Sequence, residues 1–300
     1  MYLKLKIICI ILILTVSFAN SQNDGAANTG LAFLKLGAGA RGIAMGDAFS
    51  PIADDATAII YNPARLTFGV NNNLIFMHNI GVQDLTTDFI ATKFKIGKLG
   101  IGVGLMKASV SDIEVRVIPG PPLEKFTSQN ISVSLAASYE IYTNLSLGVT
   151  SKLLYEKIYI DEASGVSFDI GTSYSKDNLN FSFLIGNIGS MNELRNKSTK
   201  LPTLIRLGTG YLYTKDDFSI LGAIEGFKVL NGGKFHLNVG VEGGYKDFVF
   251  LRAGYQSGYE NKFLTTGIGI KYKAVNLDYA FVPHTNTFGI NHIFSVSFNY

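Results

Sequence analysis

From about residue 72 to the end of the chain, apolar residues alternate with small or polar ones, and the alternating segments are long enough to cross a bilayer. The last segment is the clearest: Phe288, Ile290, Phe294, Val296, Phe298 and Tyr300 share one parity, and Gly289, Asn291, Ser295, Ser297 and Asn299 the other. Only His292 and Ile293 break that rule. Elsewhere Leu99, Ile101, Val103 and Leu105 oppose Gly100, Gly102 and Gly104, and Phe235, Leu237, Val239 and Val241 oppose His236, Asn238, Gly240 and Glu242. About fourteen such segments follow one another: 72–80, 86–95, 99–107, 126–139, 143–156, 164–174, 179–187, 202–213, 217–228, 234–244, 247–256, 262–272, 275–283 and 287–299. Many soluble strands are nearer 5 or 6 residues, whereas tilted membrane strands need about 9 to 11.

The links between segments add independent information. Gly97-Lys98, Lys176-Asp177-Asn178 and Lys215-Asp216 sit in tight connections, while 108–125, 157–163 and 188–201 are longer. Short turns at one end and long loops at the other are the pattern of outer-membrane barrels, whose short turns face the periplasm. A sheet edge exposed to lipid leaves backbone groups unsatisfied, so such a sheet must close on itself. The expectation is an all-β fold: a transmembrane antiparallel β-barrel of about 14 strands, its apolar parity facing lipid. An even strand number puts both barrel ends on the periplasmic side, and the N-terminal segment is expected to enter from there. Tyr139, Tyr155, Tyr174, Tyr211, Tyr213, Tyr245, Tyr255 and Tyr272 lie near segment ends and suit interfacial girdles. A soluble β-sandwich or propeller would also alternate, but over shorter strands.

The preceding residues read differently. Lys4 and Lys6 precede the apolar run Ile7 to Phe18, and small residues Ala19 and Ser21 follow, the layout of a secretory signal peptide over 1–21. Cleavage after either small residue fits. The one cysteine, Cys9, lies in that run, so the mature chain has no thiol chemistry. Residues 22–71 are expected to form a partly helical hatch or plug, with Asp54 or Asp55 capping a helical turn and Asn62-Pro63 ending or restarting it. The barrel then occupies 72–300. Charged residues are 16% of the chain, with net charge +3 and both signs mixed. No basic stripe suggests nucleic acid.

Motifs that carry chemistry are weak or lacking. Gly37, Gly39 and Gly42 fit G-x-G-x-x-G, but a dinucleotide site needs a strand before and a helix after it within a βαβ unit. Close backbone packing explains these glycines better. His78, His236, His284 and His292 show no metal-ligand spacing. A non-enzymatic chain without cofactor or metal is expected. Lys152, Asp169, Arg206, Glu242, Arg252, Lys271 and Asp278 fall on the lumen parity, where they should pair or meet water. The terminal Phe298 and Tyr300 resemble the assembly signal read by the barrel-insertion machinery.

The segment Gly39-Ala-Arg41-Gly42-Ile-Ala-Met-Gly46-Asp-Ala-Phe, then Ala53-Asp54-Asp55-Ala-Thr-Ala58, then Tyr61-Asn62-Pro63-Ala64 resembles the PorV/PorQ family. Leu201-Pro-Thr-Leu-Ile-Arg-Leu-Gly208 is similar to its mid-barrel signature, and Asp278-Tyr-Ala-Phe281 to its end. Arg65 departs from the family, which usually has a small residue there. The family is similar to FadL-type barrels, which implies an N-terminal hatch in the lumen, here Gly39 to Leu66. It also implies a role in type IX protein secretion or surface attachment, with secreted cargo proteins and secretion or attachment components as partners beside outer-membrane lipid. The alternative is a FadL-like channel for hydrophobic small molecules. The orientation is directly testable: cysteines placed within 108–125 should label from outside intact cells, and cysteines at Lys176 to Asn178 should not.

Overall fold

The computed structural model describes residues 28–285 and 288–300; the expected signal peptide lies outside the described residues. The strands are β1 (Asn72–Ile80), β2 (Leu85–Ile96), β3 (Leu99–Val115), β4 (Glu124–Tyr142), β5 (Leu145–Ile158), β6 (Asp161–Lys176), β7 (Leu179–Met191), β8 (Glu193–Leu194), β9 (Lys197–Ser198), β10 (Leu204–Lys215), β11 (Phe218–Val229), β12 (Phe235–Tyr245), β13 (Val249–Gln256), β14 (Leu264–Tyr272), β15 (Val275–Pro283) and β16 (Ile290–Asn299). β8 and β9 pair only with each other, as a small hairpin. The other fourteen form a closed antiparallel barrel, each strand paired with its sequence neighbours and β16 returning to β1. The closing ladder runs from Asn73 opposite Asn299 to Ile80 opposite His292. Closure leaves no sheet edge in hydrocarbon. Among the described residues no helix is long and apolar enough to cross a membrane.

At one end the strands turn over two or three residues, and several of these turns hold left-handed residues: Gly97, Asn144, Asp177, Asp216, Lys246 and Lys273 all have positive φ. Such turns match the twist of the strands they join. The opposite end carries longer links, with one exception. The segment expected as a long link over 157–163 is instead a tight Tyr159-Ile160 turn, because β5 and β6 stay paired down to Ile158 opposite Asp161. Likewise β3 and β4 extend through much of the 108–125 link as strands of 17 and 19 residues. Their outer part projects as a two-stranded ribbon past a bulge between Val110 and Ile113. The 188–201 link holds the end of β7 and the β8–β9 hairpin.

The outward face is apolar along nearly every strand, as a wall in hydrocarbon requires: Leu135, Val149, Ile170, Leu207, Ile220, Leu251 and Leu277 are all exposed. Inward, residues 28–71 fill the lumen. A Cβ added at Gly240 would lie 2.3 Å from the Met45 carbonyl oxygen, one at Gly254 2.1 Å from the Gly46 amide nitrogen, and one at Gly148 2.3 Å from the Ala64 amide nitrogen. Gly171 faces Asn62, Gly208 faces Pro51, and Gly100 and Gly102 face Leu66 and Ile59. These contacts come from strands all round the barrel. These inward glycines are therefore the footprint of the plug, backbone and side chain alike, and the plug's own Ala38, Ala40, Ala44, Ala48, Ala53, Ala56 and Ala58 are fully buried.

The break in alternation at His292-Ile293 has the same cause. The strand does not slip: Ile293 faces inward at 1% exposure, against an apolar part of the plug. Ile75, Met77, Phe89, Met106 and Val282 line the same side. A lumen filled with protein rewards apolar inward residues, so the simple two-colour pattern fails there.

The course of the described plug is set by contacts at the long-loop end. The Gly30 amide donates to the Lys200 carbonyl at 3.0 Å, and Asn28 Nδ2 to the Asn231 carbonyl at 3.3 Å. Both acceptors sit in links at the long-loop end. The described chain therefore starts at that end and crosses the lumen to reach β1 at the short-turn end. The side from which the chain enters lies outside the described residues.

The glycine footprint yields a paired test. Gly254→Val should destabilise the folded barrel by about 1–3 kcal/mol through overpacking. Gly243→Val, on the outward face with nothing within 4 Å of an added Cβ, should be neutral or slightly stabilising. The urea midpoint of the heat-modifiable gel band measures both.

Candidate functional site

The plug is assembled from short pieces separated by backbone devices. Ala32–Lys35 is a 3-10 turn, Ala40–Ala44 and Ala58–Tyr61 are single-turn α-helices, and Pro63–Thr67 is a second 3-10 turn. Asn62 is extended, as a residue before proline prefers. Its Oδ1 accepts from the Ala64 amide at 3.0 Å, and its Nδ2 donates to the Thr172 and Phe183 carbonyls of the wall at 3.1 and 3.3 Å. One side chain thus ends one helix, starts the next turn and tethers the plug to β6 and β7. Gly39 and Gly46 have φ of +79° and +68°. Gly46 lies against the β13 backbone. Gly42 has Tyr61 and Phe49 close against it. Among the described residues no strand precedes Gly37, and the glycine motif lies in a plug of short turns and not in a βαβ unit.

Arg41 reaches the wall. Its Nε and Nη2 donate to Glu242 Oε2 and Oε1, both at 2.8 Å, and its Nη1 donates to Asp54 Oδ1 at 2.7 Å. This bidentate geometry is the strong form of a charged pair. Arg252 joins the same carboxylate, donating from Nε to Glu242 Oε2 at 2.6 Å and from Nη1 to Asp278 Oδ1 at 2.7 Å. The result is a continuous chain Asp54–Arg41–Glu242–Arg252–Asp278, linking the plug to β12, β13 and β15. Three carboxylates share two guanidiniums, and Lys93, whose Nζ donates to the Asp54 carbonyl, adds a further cation beside them.

Two other inward groups hold the far side. Arg206 Nη1 donates to Glu225 Oε1 at 2.6 Å, and Glu225 Oε2 accepts from the Ser50 amide and hydroxyl of the plug at 2.9 and 2.6 Å. The Arg206 guanidinium also lies over the Tyr61 and Phe227 rings. Lys152 Nζ sits 2.6 Å from Asp169 Oδ2 and 2.9 Å from Asn187 Oδ1. Of the seven lumen charges expected from parity, six are paired in these buried groups. The seventh, Lys271, lies nearer the short-turn mouth and pairs with Asp247 at 2.6 Å.

Sequence reasoning missed several participants. Glu225 is fully buried and lay on the lumen parity of its segment, so alternation could have found it. Lys93 is buried, its Nζ donating to the Phe68 and Asp54 carbonyls at 2.6 and 3.2 Å. Arg65, noted only as a departure, is buried; its Nε donates to the Ala53 carbonyl at 3.0 Å and its Nη1 to Asn180 Oδ1 at 3.3 Å. Asp55 caps the turn through the Thr57 amide at 2.9 Å and the Thr57 hydroxyl. Burial pushes its carboxyl up, and the neighbouring Asp54 adds to this; the Thr57 bonds pull it back. Phe298 faces outward, and the Tyr300 hydroxyl lies 3.2 Å from Thr92 Oγ1 beside the Phe94 ring.

At the short-turn end the plug floors a vestibule of about 870 Å³, lined by Arg41, Asp54, Arg65, Glu242, Asp217 and Lys246. Toward the long-loop end a cavity of about 40 Å³ lies between Leu36, Ile43, Val282, Ile293, Gln256 and Lys262. Between the two, Ala38, Ala40, Ala44, Met45, Ala48 and Phe49 have no exposed surface. The lumen is closed here by packed protein. Among the described residues no group of three or more His, Cys, Asp and Glu is placed to hold a metal ion.

No family model matches this chain, and no curated protein does. Solved structures do. The Pseudomonas putida toluene transporter TodX superposes with a TM-score of 0.63 at 14% identity, over 88% of this chain and 99% of that one. The monoaromatic hydrocarbon channel CymD superposes with a TM-score of 0.60 at 12% identity, over 91% and 99%. Both are FadL-like outer-membrane barrels. At this identity the likeness establishes the fold: a closed fourteen-stranded FadL-like barrel of the outer membrane.

Proposed function

We propose that this chain is a gated channel for small hydrophobic molecules across the outer membrane, with residues 28–71 as the gate. The observation that carries the reading is the way the lumen is shut. Wall glycines at 148, 240 and 254 leave room for the plug backbone, and one plug arginine, Arg41, makes a two-armed pair to Glu242 beside the vestibule. A segment latched by charge on its vestibule side can open there while Phe49, Ile59, Tyr61 and Leu66 keep the rest seated in the core. The same fold serves a toluene transporter and a monoaromatic hydrocarbon channel, which supports passage of such solutes here.

The test exploits a mature chain without native cysteine. Ala40→Cys with Ser295→Cys joins plug to wall where the Ala40 amide donates to Ser295 Oγ at 2.8 Å. The oxidised variant in proteoliposomes should lose uptake of a radiolabelled aromatic hydrocarbon, and reductant should restore it. Equal uptake by oxidised and reduced protein would remove the gate. Arg41→Leu should instead raise the leak of small polar solutes by about tenfold, since it leaves Glu242 with one partner fewer.

The PorV/PorQ resemblance supports a second reading, cargo handling in type IX secretion. One observation favours it: Val117, Ile118 and Leu123 at the tip of the projecting β3–β4 ribbon are 72–78% exposed, an unusual apolar display beyond the barrel. Deleting residues 112–123 should then abolish co-purification of secreted proteins while leaving hydrocarbon uptake intact. Unchanged recovery of such proteins would sink this reading.

A further inference from the structure

The outward wall is apolar almost throughout, and charged side chains facing lipid are costly, least so near the interface. Yet three adjacent strands carry a polar cluster on that face. His78 on β1 lies opposite Asp88 on β2, and Asp88 lies opposite Lys107 on β3. His78 Nδ1 is 2.7 Å from Asp88 Oδ1, and both side chains are about half exposed on the outward surface. One outward position further toward the long-loop end, Thr86 Oγ1 and Ser109 Oγ lie 3.0 Å apart. Along β16 and β15, Tyr279 and His292 pair at 2.8 Å on the same face, with Phe281 against the imidazole. Such amphipathic rings mark a bilayer interface.

Directly on the short-turn side of this cluster the wall is grooved. The groove, of about 460 Å³, is lined by Phe76, Ile90, Leu105, Phe294 and Val296, with His78 and Asp88 at its rim. The ladders beneath it are unbroken from β16 through β1 and β2 to β3, so it does not open into the lumen. Polar rim and apolar groove are thus stacked along the membrane normal, with the rim nearer the long-loop end, which is the outer side.

We infer that this surface is a binding site for a phosphorylated lipid of the outer leaflet. The phosphate sits at Lys107 and His78, and an acyl chain lies in the groove toward the midplane. Charge complementarity selects the occupant: Lys107 sets a cation on a lipid-facing wall, and the Asp88 carboxylate beside it is engaged by His78 Nδ1. Asp88 holds Nδ1, which leaves Nε2 as the imidazole atom free to face the phosphate. The order of rim and groove fits a lipid whose headgroup points out of the cell and does not fit one from the inner leaflet.

The experiment is native mass spectrometry of the whole barrel in detergent, titrated with diphosphoryl lipid A and separately with the same lipid stripped of phosphate. The phosphorylated lipid should bind about tenfold tighter. His78→Gln with Lys107→Gln should abolish that difference, and Lys107→Arg should keep it. Ile90→Trp, which fills the groove, should weaken both lipids alike. A heat-modifiable gel band confirms that each variant is folded. Equal binding of the two lipids, or a double variant that binds like the parent, overturns the site. Complete displacement by millimolar inorganic phosphate overturns the lipid as its occupant.

Discussion

The hydrogen-bonded seam between the first and last barrel strands is the contact on which everything else depends. In hydrocarbon no water can satisfy a free strand edge, so a sheet that faces lipid survives only if it closes. The ladder from Asn73–Asn299 to Ile80–His292 makes that closure, and the Tyr300 amide extends it to the Asn72 carbonyl. Once closed, fourteen strands enclose a space too wide for their own side chains to fill. The cylinder then needs water or protein inside it, and here residues 28–71 supply protein.

Filling a barrel with backbone imposes its own chemistry. Peptide groups of the plug approach the wall closely where the wall lacks a Cβ, which accounts for glycine at 148, 240 and 254, while Gly171 leaves room for the Asn62 side chain. The orphan polar groups of single-turn helices must find partners, and wall side chains provide them: Asn73 Oδ1 takes the Ala56 amide, Thr265 Oγ1 donates to the Ala44 carbonyl, and Gln256 Nε2 donates to the Gly46 carbonyl. Charge is placed where desolvation is shared. Arg206 with Glu225 and Lys152 with Asp169 are deeply buried and fully bridged, whereas the Arg41 junction borders the vestibule and its water. That gradient leaves the short-turn end of the plug the more readily solvated, and so the end better suited to movement.

Much of this architecture was written in the order of residues. Alternation over bilayer-length segments, tight polar turns and a segment of different texture before residue 72 are local properties, and each follows from the two-residue repeat of a strand or from the conformational limits of Gly, Asn and Pro. The parity of Lys152, Asp169, Arg206, Glu242, Arg252 and Asp278 was enough to put them inside, because lipid would not accept them outside. The sequence by itself also carried the turn at Asn62-Pro63, whose side chain and ring act on their own neighbours.

Tertiary structure decided what no local pattern encodes. Which carboxylate meets which guanidinium depends on register across strands and on the path of the plug, so Arg41 and Glu242, 201 positions apart, could not be paired by reading. Arg65 and Lys93 look like surface residues in sequence and are buried because backbone carbonyls converge on them only in the folded lumen. The descent of the described plug from Asn28 at the long-loop end to β1 is equally a fact of threading. Ile293 shows the general reason: alternation reports that two faces differ, but whether the inner face is wet or packed with protein is settled only when the whole chain has found its place.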